Sequence, residues 1–283
     1  MTIKAAQWSL VAFALLLTRI PVLAQDKRQT APKALTATEI IERAQQAFYY
    51  PGADMKAKAT MDLITDSGSK RTRVLTMLRK NVPGSNEQKY LLYFHQPGDV
   101  RRTTFLVWKH WDRESDRWIF IPAVNMVRRV AATDSRSSFV GSDFTYEDIS
   151  GRALNADDHS LLREEQLGAA DCFVVQSVPK SPMDYTRKLS WIDKKTFLPR
   201  KEEYYDAQNQ LARLFSADEI REVTVEGGNA KKVYPTVTKR TMKNVKSGHR
   251  TEVTYESVAY DVGLEDDIFT ERTVQNPPQK WIK

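Results

Sequence analysis

The stretch Ala57-Lys-Ala-Thr-Met-Asp-Leu-Ile-Thr-Asp-Ser-Gly-Ser-Lys-Arg-Thr-Arg-Val-Leu-Thr-Met-Leu-Arg79 decides the fold. Ala57, Ala59, Met61 and Leu63 alternate with Lys58, Thr60 and Asp62. That is a period of two, which places successive side chains on opposite faces of a strand. Asp66-Ser-Gly-Ser69 is a turn, and Arg71 to Arg79, rich in Thr and Val, reads as the returning strand of a hairpin. Pro83-Gly84 marks the next turn, and the pattern continues. Strands are expected at Tyr90 to Phe94, Thr103 to Trp108 and Trp118 to Ile121, the last two separated by a charged loop. Further strands are expected at Cys172 to Val178, Tyr185 to Asp193, Pro199 to Tyr205, Leu211 to Val225, Val233 to Asn244 and His249 to Tyr260, followed by a tail from Asp266. About ten or eleven strands at hairpin spacing, without intervening helices, predict a mainly β, antiparallel fold.

Upstream of the first hairpin the period is 3.6. Thr36-Ala-Thr-Glu39 has the spacing of a capping box, and Ile40, Ile41, Ala44, Ala47 and Phe48 form one apolar stripe. This predicts a helix over 36–50, stopped by Pro51-Gly52. Residues 123–156 break the rhythm and read as an insertion with one or two short helices and no strand.

The first 24 residues read as a secretory signal peptide. Lys4 is the positive start, Trp8 to Leu17 the apolar run, and Val22-Leu-Ala24 the small-residue site, with cleavage before Gln25. The apolar run falls short of the ~20 residues a spanning helix needs. Residues 25–35 are a polar leader, and residues 36–283 show no composition break, so one domain is expected there. The mature protein is therefore expected to be exported.

The chain has 283 residues, a charge of +7 and one cysteine. A single cysteine excludes an internal disulfide and the Cys-rich zinc frameworks. Cleavage removes two bases, Lys4 and Arg19, and no acid, so the charge falls from +7 to +5. A mild excess of this kind suits anionic lipid headgroups better than nucleic acid, for which no basic stripe or fold motif is present. Nucleic-acid partners are therefore not expected.

Enzyme motifs are missing. His95, His110, His159 and His249 form no metal-ligand pair, and there is no GxSxG, Walker loop or GxGxxG. Asp157-Asp158-His159 reads as a solvated turn in a polar linker, and Cys172, at the start of an apolar strand, as a small core residue. No catalytic residue, metal or cofactor is expected.

Tyr90-Leu-Leu-Tyr-Phe94 and Thr104-Phe-Leu-Val-Trp108 carry bulky residues on both faces. A sheet with one wet face reads apolar-in, polar-out, so these strands need cover on two sides. One helix and a short insertion give limited cover. Either the sheet closes on itself or its inner face encloses an apolar space. Candidates for the wall of such a space are Ile41, Phe48, Met61, Leu63, Leu91, Tyr93, Phe105, Val107, Trp118, Phe120 and Trp191. Arg101, Arg102, Arg128 and Arg129 are candidates for headgroup or partner contact.

Ser138-Phe-Val-Gly-Ser-Asp-Phe-Thr-Tyr-Glu-Asp148, preceded by Arg117-Trp-Ile-Phe-Ile-Pro-Ala123 and Arg128-Arg129, resembles the outer membrane lipoprotein-sorting proteins, relatives of the LolA/LolB-like periplasmic lipoprotein carriers. The resemblance covers most of residues 36–275. It implies an unclosed antiparallel β-barrel of about eleven strands, with helices over a concave face that holds acyl chains. It also implies an inner-membrane transporter and an outer-membrane acceptor as partners; a monomer is expected. The motif residues are Gly141, Ser142, Asp143, Phe144, Tyr146, Glu147 and Asp148. Ser142 is read as the cap of a short helix, Phe144 and Tyr146 as anchors, and the helix at 36–50 with the 123–150 insertion as a lid. Two functions follow: a carrier shielding acyl chains of a lipoprotein or lipid between membranes, or a non-catalytic protein-binding subunit of an RND-type envelope transport complex. An open apolar cavity favours the first, a filled concave face the second.

Overall fold

The structure, a computed structural model, describes residues 1–2, 34–110, 113–227 and 230–283. Apart from residues 1–2 and 34–35, the expected signal peptide and leader lie outside the described residues. From Leu35 to Lys283 the chain is one compact unit.

Thirteen antiparallel strands form one sheet. The first six are β1 (Asp54–Ile64), β2 (Lys70–Asn81), β3 (Gln88–Gln96), β4 (Thr104–Lys109), β5 (Asp116–Ile121) and β6 (Met126–Arg129). The next seven are β7 (Asp157–Leu167), β8 (Ala170–Pro179), β9 (Arg187–Asp193), β10 (Pro199–Tyr205), β11 (Leu211–Gly227), β12 (Ala230–Asn244) and β13 (Arg250–Tyr260). Their spatial order is β6-β5-β4-β3-β2-β1-β13-β12-β11-β10-β9-β8-β7. The chain meanders outward from β1 to one edge, jumps to the opposite edge, and meanders back until β13 pairs with β1. The edges β6 and β7 do not pair with each other, so the barrel stays open. The jump, residues 130–156, is a strap across the concave face. It contains the short helix α2 (Tyr146–Ser150), counted after α1 (Ala37–Tyr49).

The expected mainly β, unclosed antiparallel barrel is the observed architecture. Two strands beyond the expected count are the two edges. Met126–Arg129, expected within a strandless insertion, is β6, paired through Ile121↔Met126 and Trp118↔Arg129. Asp157–Leu167, read as a polar linker, is β7, paired with β8. Edge strands pair on one side only and commonly carry charge, which keeps them from pairing with other chains. That is why neither shows an apolar period.

The capping box of α1 is present: Glu39 N donates to Thr36 Oγ1 at 3.2 Å, and Thr36 N to the Glu39 carboxylate at 2.7 Å. Ile40, Ile41 and Ala44 are its buried stripe, and they pack on Val175 of β8 and Ile192 of β9.

The doubly apolar strands separate two cores. On the concave face Tyr90, Leu92 and Phe94 of β3 join Phe105 and Val107 of β4. On the convex face Leu78, Leu91, Leu106, Trp118 and Phe120 lie beneath the C-terminal segment, which supplies Leu264, Ile268, Phe269 and Val274.

Candidate functional site

The strap fills the hollow that the open barrel makes. Phe139, Phe144, Tyr146 and Ile149 are all buried on the concave core. Phe139 and Tyr146 sit with ring centroids 5.3 and 5.1 Å from Phe105. The strap's backbone takes almost no part in the sheet; its one isolated bridge, Ser138↔Thr145, is internal. Helix α2 is capped by Thr145, not Ser142. Asp148 N donates to Thr145 Oγ1 at 3.1 Å and Thr145 N to Asp148 Oδ2 at 2.8 Å. Ser142 Oγ instead donates to the Phe139 carbonyl at 2.8 Å and closes the turn before it. At the end of α2, Gly151 has φ +79°, and a Cβ there would lie 2.9 Å from the Tyr49 ring. Only glycine lets the strap lie this close to α1.

Side-chain charges tie the strap to the sheet. Asp143 Oδ2 accepts from His249 Nδ1 at 2.6 Å and from Thr251 Oγ1 at 2.7 Å. Asp148 pairs with Arg213 of β11 at 3.0 Å. Arg152 pairs with Glu147 and with Asp157 of β7, both at 2.8 Å. Burial pushes the Glu147 carboxyl up, against the pull of Arg152. Beneath the strap, Lys188 pairs with Glu202 at 2.9 Å, and Tyr204 donates its hydroxyl to the same carboxylate at 2.7 Å. Asp143 and Asp148 are thus latches to the sheet, Glu147 braces Arg152 within the strap, and the motif's aromatics are plugs.

Three adjoining cavities lie beneath the strap and α1, with about 100, 50 and 20 Å³ of room, and a polar cleft lined by Lys109, Arg117, Glu147 and Arg152 has about 220 Å³. Sites that hold drug-sized ligands run to ~300–1,000 Å³. Among the described residues the concave face therefore shows no open hollow of acyl-chain size.

The candidate wall residues divide between the faces. Phe48, Met61, Leu63, Phe105 and Val107 lie on the concave core. Ile41 lines the 100 Å³ cavity beside Ile192. Leu91, Trp118 and Phe120 lie on the convex face under the C-terminal segment. Tyr93, of the same alternation as Leu91, meets His95 edge-on at 4.9 Å. Trp191 packs with Cys172, Val174 and Leu189, away from α1. Arg101 and Arg102 are exposed in the turn after β3. Arg128 and Arg129 are exposed on edge strand β6, where Arg129 pairs with Asp116.

Sequence reasoning missed the buried bases of the concave face. Arg73, Arg79, Lys109, Arg117 and Arg240 are each at most 9% exposed, and each has a side-chain nitrogen without a hydrogen-bond partner. The signal was present in register: Arg240 lies two residues from Met242, so the two share a face.

The other chemistry-bearing side chains have local roles. His159 lies in β7, where its ring nitrogens meet Ser177 Oγ at 2.9 Å and the Leu154 carbonyl at 3.0 Å. His110 sits between Glu87 and Asp116, each at 2.9 Å. Cys172 is fully buried, and burial pushes its thiol up to about 11. Among the described residues no group of three or more His, Cys, Asp or Glu is placed to hold a metal ion. No helix among them is long and apolar enough to cross a membrane.

An open antiparallel barrel whose two halves are joined by a strap over the concave face defines the LolA-like class. A family profile described as "Uncharacterized protein" matches residues 86–276, more than half of the chain. The structure is similar to a DUF1329 family protein from Desulfovibrio piger, with a TM-score of 0.74 and 26% identity over 84% of this chain and 97% of that one. It is similar to an outer membrane lipoprotein-sorting protein domain from Vibrio parahaemolyticus, with a TM-score of 0.73 and 26% identity over 84% and 98%. A LolA superfamily protein from Nitrosomonas europaea shares the fold, with a TM-score of 0.62 and 21% identity over 84% and 99%. A search of the curated proteins finds no match. The chain belongs to the family that this profile describes, and its fold is the LolA-like open barrel of these neighbours.

Proposed function

We propose that this is a non-catalytic periplasmic carrier, which shelters acyl chains of a lipoprotein or lipid between inner and outer membrane. Its acyl site is the concave face, occupied in the closed state by its own strap. The observation that carries this reading is how the plug is attached. Four large apolar side chains fill the barrel, yet they belong to a segment held to the sheet by the Arg152–Asp157 and Asp148–Arg213 ion pairs and the Asp143 hydrogen bonds, and not by strand pairing.

Each buried methylene is worth ~0.8 kcal/mol, so a 16-carbon chain costs roughly 12 kcal/mol to expose to water. Displacing the strap uncovers apolar wall that can replace the membrane contacts. The strap's return then competes with the cargo, which keeps binding reversible. An inner-membrane transporter would load the carrier and an outer-membrane acceptor would unload it. The edge strand β6, with exposed Met126, Val127, Arg128 and Arg129, suits such a contact.

The filled concave face favours a second reading, a protein-binding subunit of an envelope transport complex. Binding of a fluorescent fatty-acyl probe to delipidated protein, with mass spectrometry of lipid extracted from the purified protein, separates the two. The carrier reading expects saturable binding at one probe per chain and co-purified lipid. Folded protein that binds no probe and yields no lipid leaves the second reading.

A further inference from the structure

Arg240 is one of several unmatched charges on the concave face, and the one whose side chain lines all three cavities under the strap. It stands on β12 between Ala217 of β11 and Val253 of β13, both concave-core residues. It is 9% exposed. Its guanidinium lies 5.3 Å from the ring centroid of Phe144, 5.5 Å from that of Phe48 and 5.6 Å from that of Tyr255. Its one hydrogen bond runs from Nη2 to the Tyr255 hydroxyl at 3.3 Å, and its Nε has no acceptor. No carboxylate pairs with it among the described residues. The neighbouring cations differ: Arg152, Lys188 and Arg213 each have a carboxylate at 3.0 Å or less.

Its place in the cavities is also distinct. Arg240 contributes to the walls of all three. It is the sole charged residue of the smallest, and in the second it is joined only by Arg79. Arg79 spends both terminal nitrogens on the carbonyls of Tyr49 and Pro51, whereas Arg240 has only the Tyr255 hydroxyl.

A buried cation without a counter-charge is costly, and aromatic faces compensate it only in part. A chamber built only to be filled would be more stable with a methionine there. Phe144, from the family motif, covers the guanidinium. Displacing the strap therefore uncovers apolar wall and bare cation together. A neutral acyl head, such as an ester or amide, leaves that charge unmatched; an anionic head satisfies it by a paired, charge-assisted hydrogen bond.

We propose that the cargo is an amphiphile with a single anionic head, a carboxylate or phosphate on an acyl chain, and that Arg240 is its counter-ion. This rests on the carrier reading and narrows its cargo. The test compares hexadecanoate, hexadecyl phosphate and hexadecanol as competitors for the acyl probe, on the full chain and on R240M and R240K. In the unaltered chain both anions are expected to compete at least ten-fold better than the alcohol, and the stronger of the two names the head. R240M should reduce that preference to less than two-fold while alcohol binding stays within two-fold, and R240K should keep part of it. Thermal unfolding of R240M at a temperature no lower than the unaltered chain fits a residue kept for binding. Equal competition by all three ligands in the unaltered chain overturns the inference and leaves the carrier reading standing, and this comparison needs no variant. Retention of the preference in folded R240M also overturns it. If none of the three binds, both readings fall.

Discussion

The two faces of the sheet are covered in opposite ways. On the convex face the C-terminal segment lays Leu264, Ile268, Phe269 and Val274 on Leu78, Leu91, Leu106, Trp118 and Phe120, and its ion pairs, Asp266 with Lys80 and Lys89, lie at the exposed rim. Its path is fixed by backbone groups: Val262 N and Leu264 N donate to the Asp54 carboxylate at 2.7 Å, and the Trp108 indole donates to the Phe269 carbonyl at 2.8 Å. On the concave face the strap brings as many large apolar side chains, but it sits among buried bases and is held by ion pairs. Apolar packing has nothing to exchange with water, so opening it forfeits the whole burial term. A buried ion pair contributes little net, because its attraction mainly repays desolvation. On the proposed function, one cover stays and the other lifts.

The sharpest way to break this contrast is to truncate one aromatic in each cover. Phe269 is 1% exposed and Phe144 2%. Phe269→Ala is expected to lose ~3–5 kcal/mol in urea unfolding, the usual cost of a phenylalanine cavity in a closed core. Phe144→Ala is expected to lose less than half of that, because the strap can resettle and water can reach Arg240. Equal losses would mean that the two covers are equally fixed.

A second test uses pH and the buried bases. Lys109 is 3% exposed on the concave face, with its ammonium over the rings of Tyr49 and Tyr50 at 5.2 and 4.9 Å and no acceptor. Burial, helped by Arg79 and Arg117, pushes its pKa down from 10.5 to about 7. Between those values the unfolded chain binds the proton and the folded chain does not. Stability from this group therefore rises with pH across that window and levels off above it. Lys109→Met has no such group. It should be more stable than the unaltered chain at pH 7, on the order of 3 kcal/mol given ~1.4 kcal/mol per pKa unit and some relaxation. The gap should close by about pH 10. A gap that stays constant with pH would show that Lys109 is charged in the fold throughout.

Much of this architecture was legible in the sequence. Alternation at Ala57 to Leu63 marks β1, and Thr36 with Glu39 marks the start of α1. The edges were not, since β6 is exposed at all four positions and β7 at most of its length. The site was legible as a segment but not as a wall. Alternation separates Leu91 from Leu92 but does not say which of them faces inward when both faces are dry. Arg79, Lys109 and Arg240 share the inner face with Met77, Val107 and Met242, where the alternation rule expects apolar side chains, so the cationic lining was hidden by the rule that reveals the strands.

The smallest expected effect tests the latch itself. Asp143 holds His249 and Thr251 through Oδ2, while its backbone N donates to Thr251 Oγ1 at 3.0 Å. Asp143→Asn keeps the shape and removes the charge. Because His249 is partly open to water, the global cost should be only about 1 kcal/mol. Local opening responds differently from global unfolding, since a segment can lift while the sheet stays intact. Amide exchange over 137–150 should therefore speed up several-fold in D143N, while exchange in β1 to β4 stays as it was, and the acyl probe should load faster. If strap and sheet exchange faster together, the strap opens only by global unfolding. The plug would then be part of the core and not a gate in front of it.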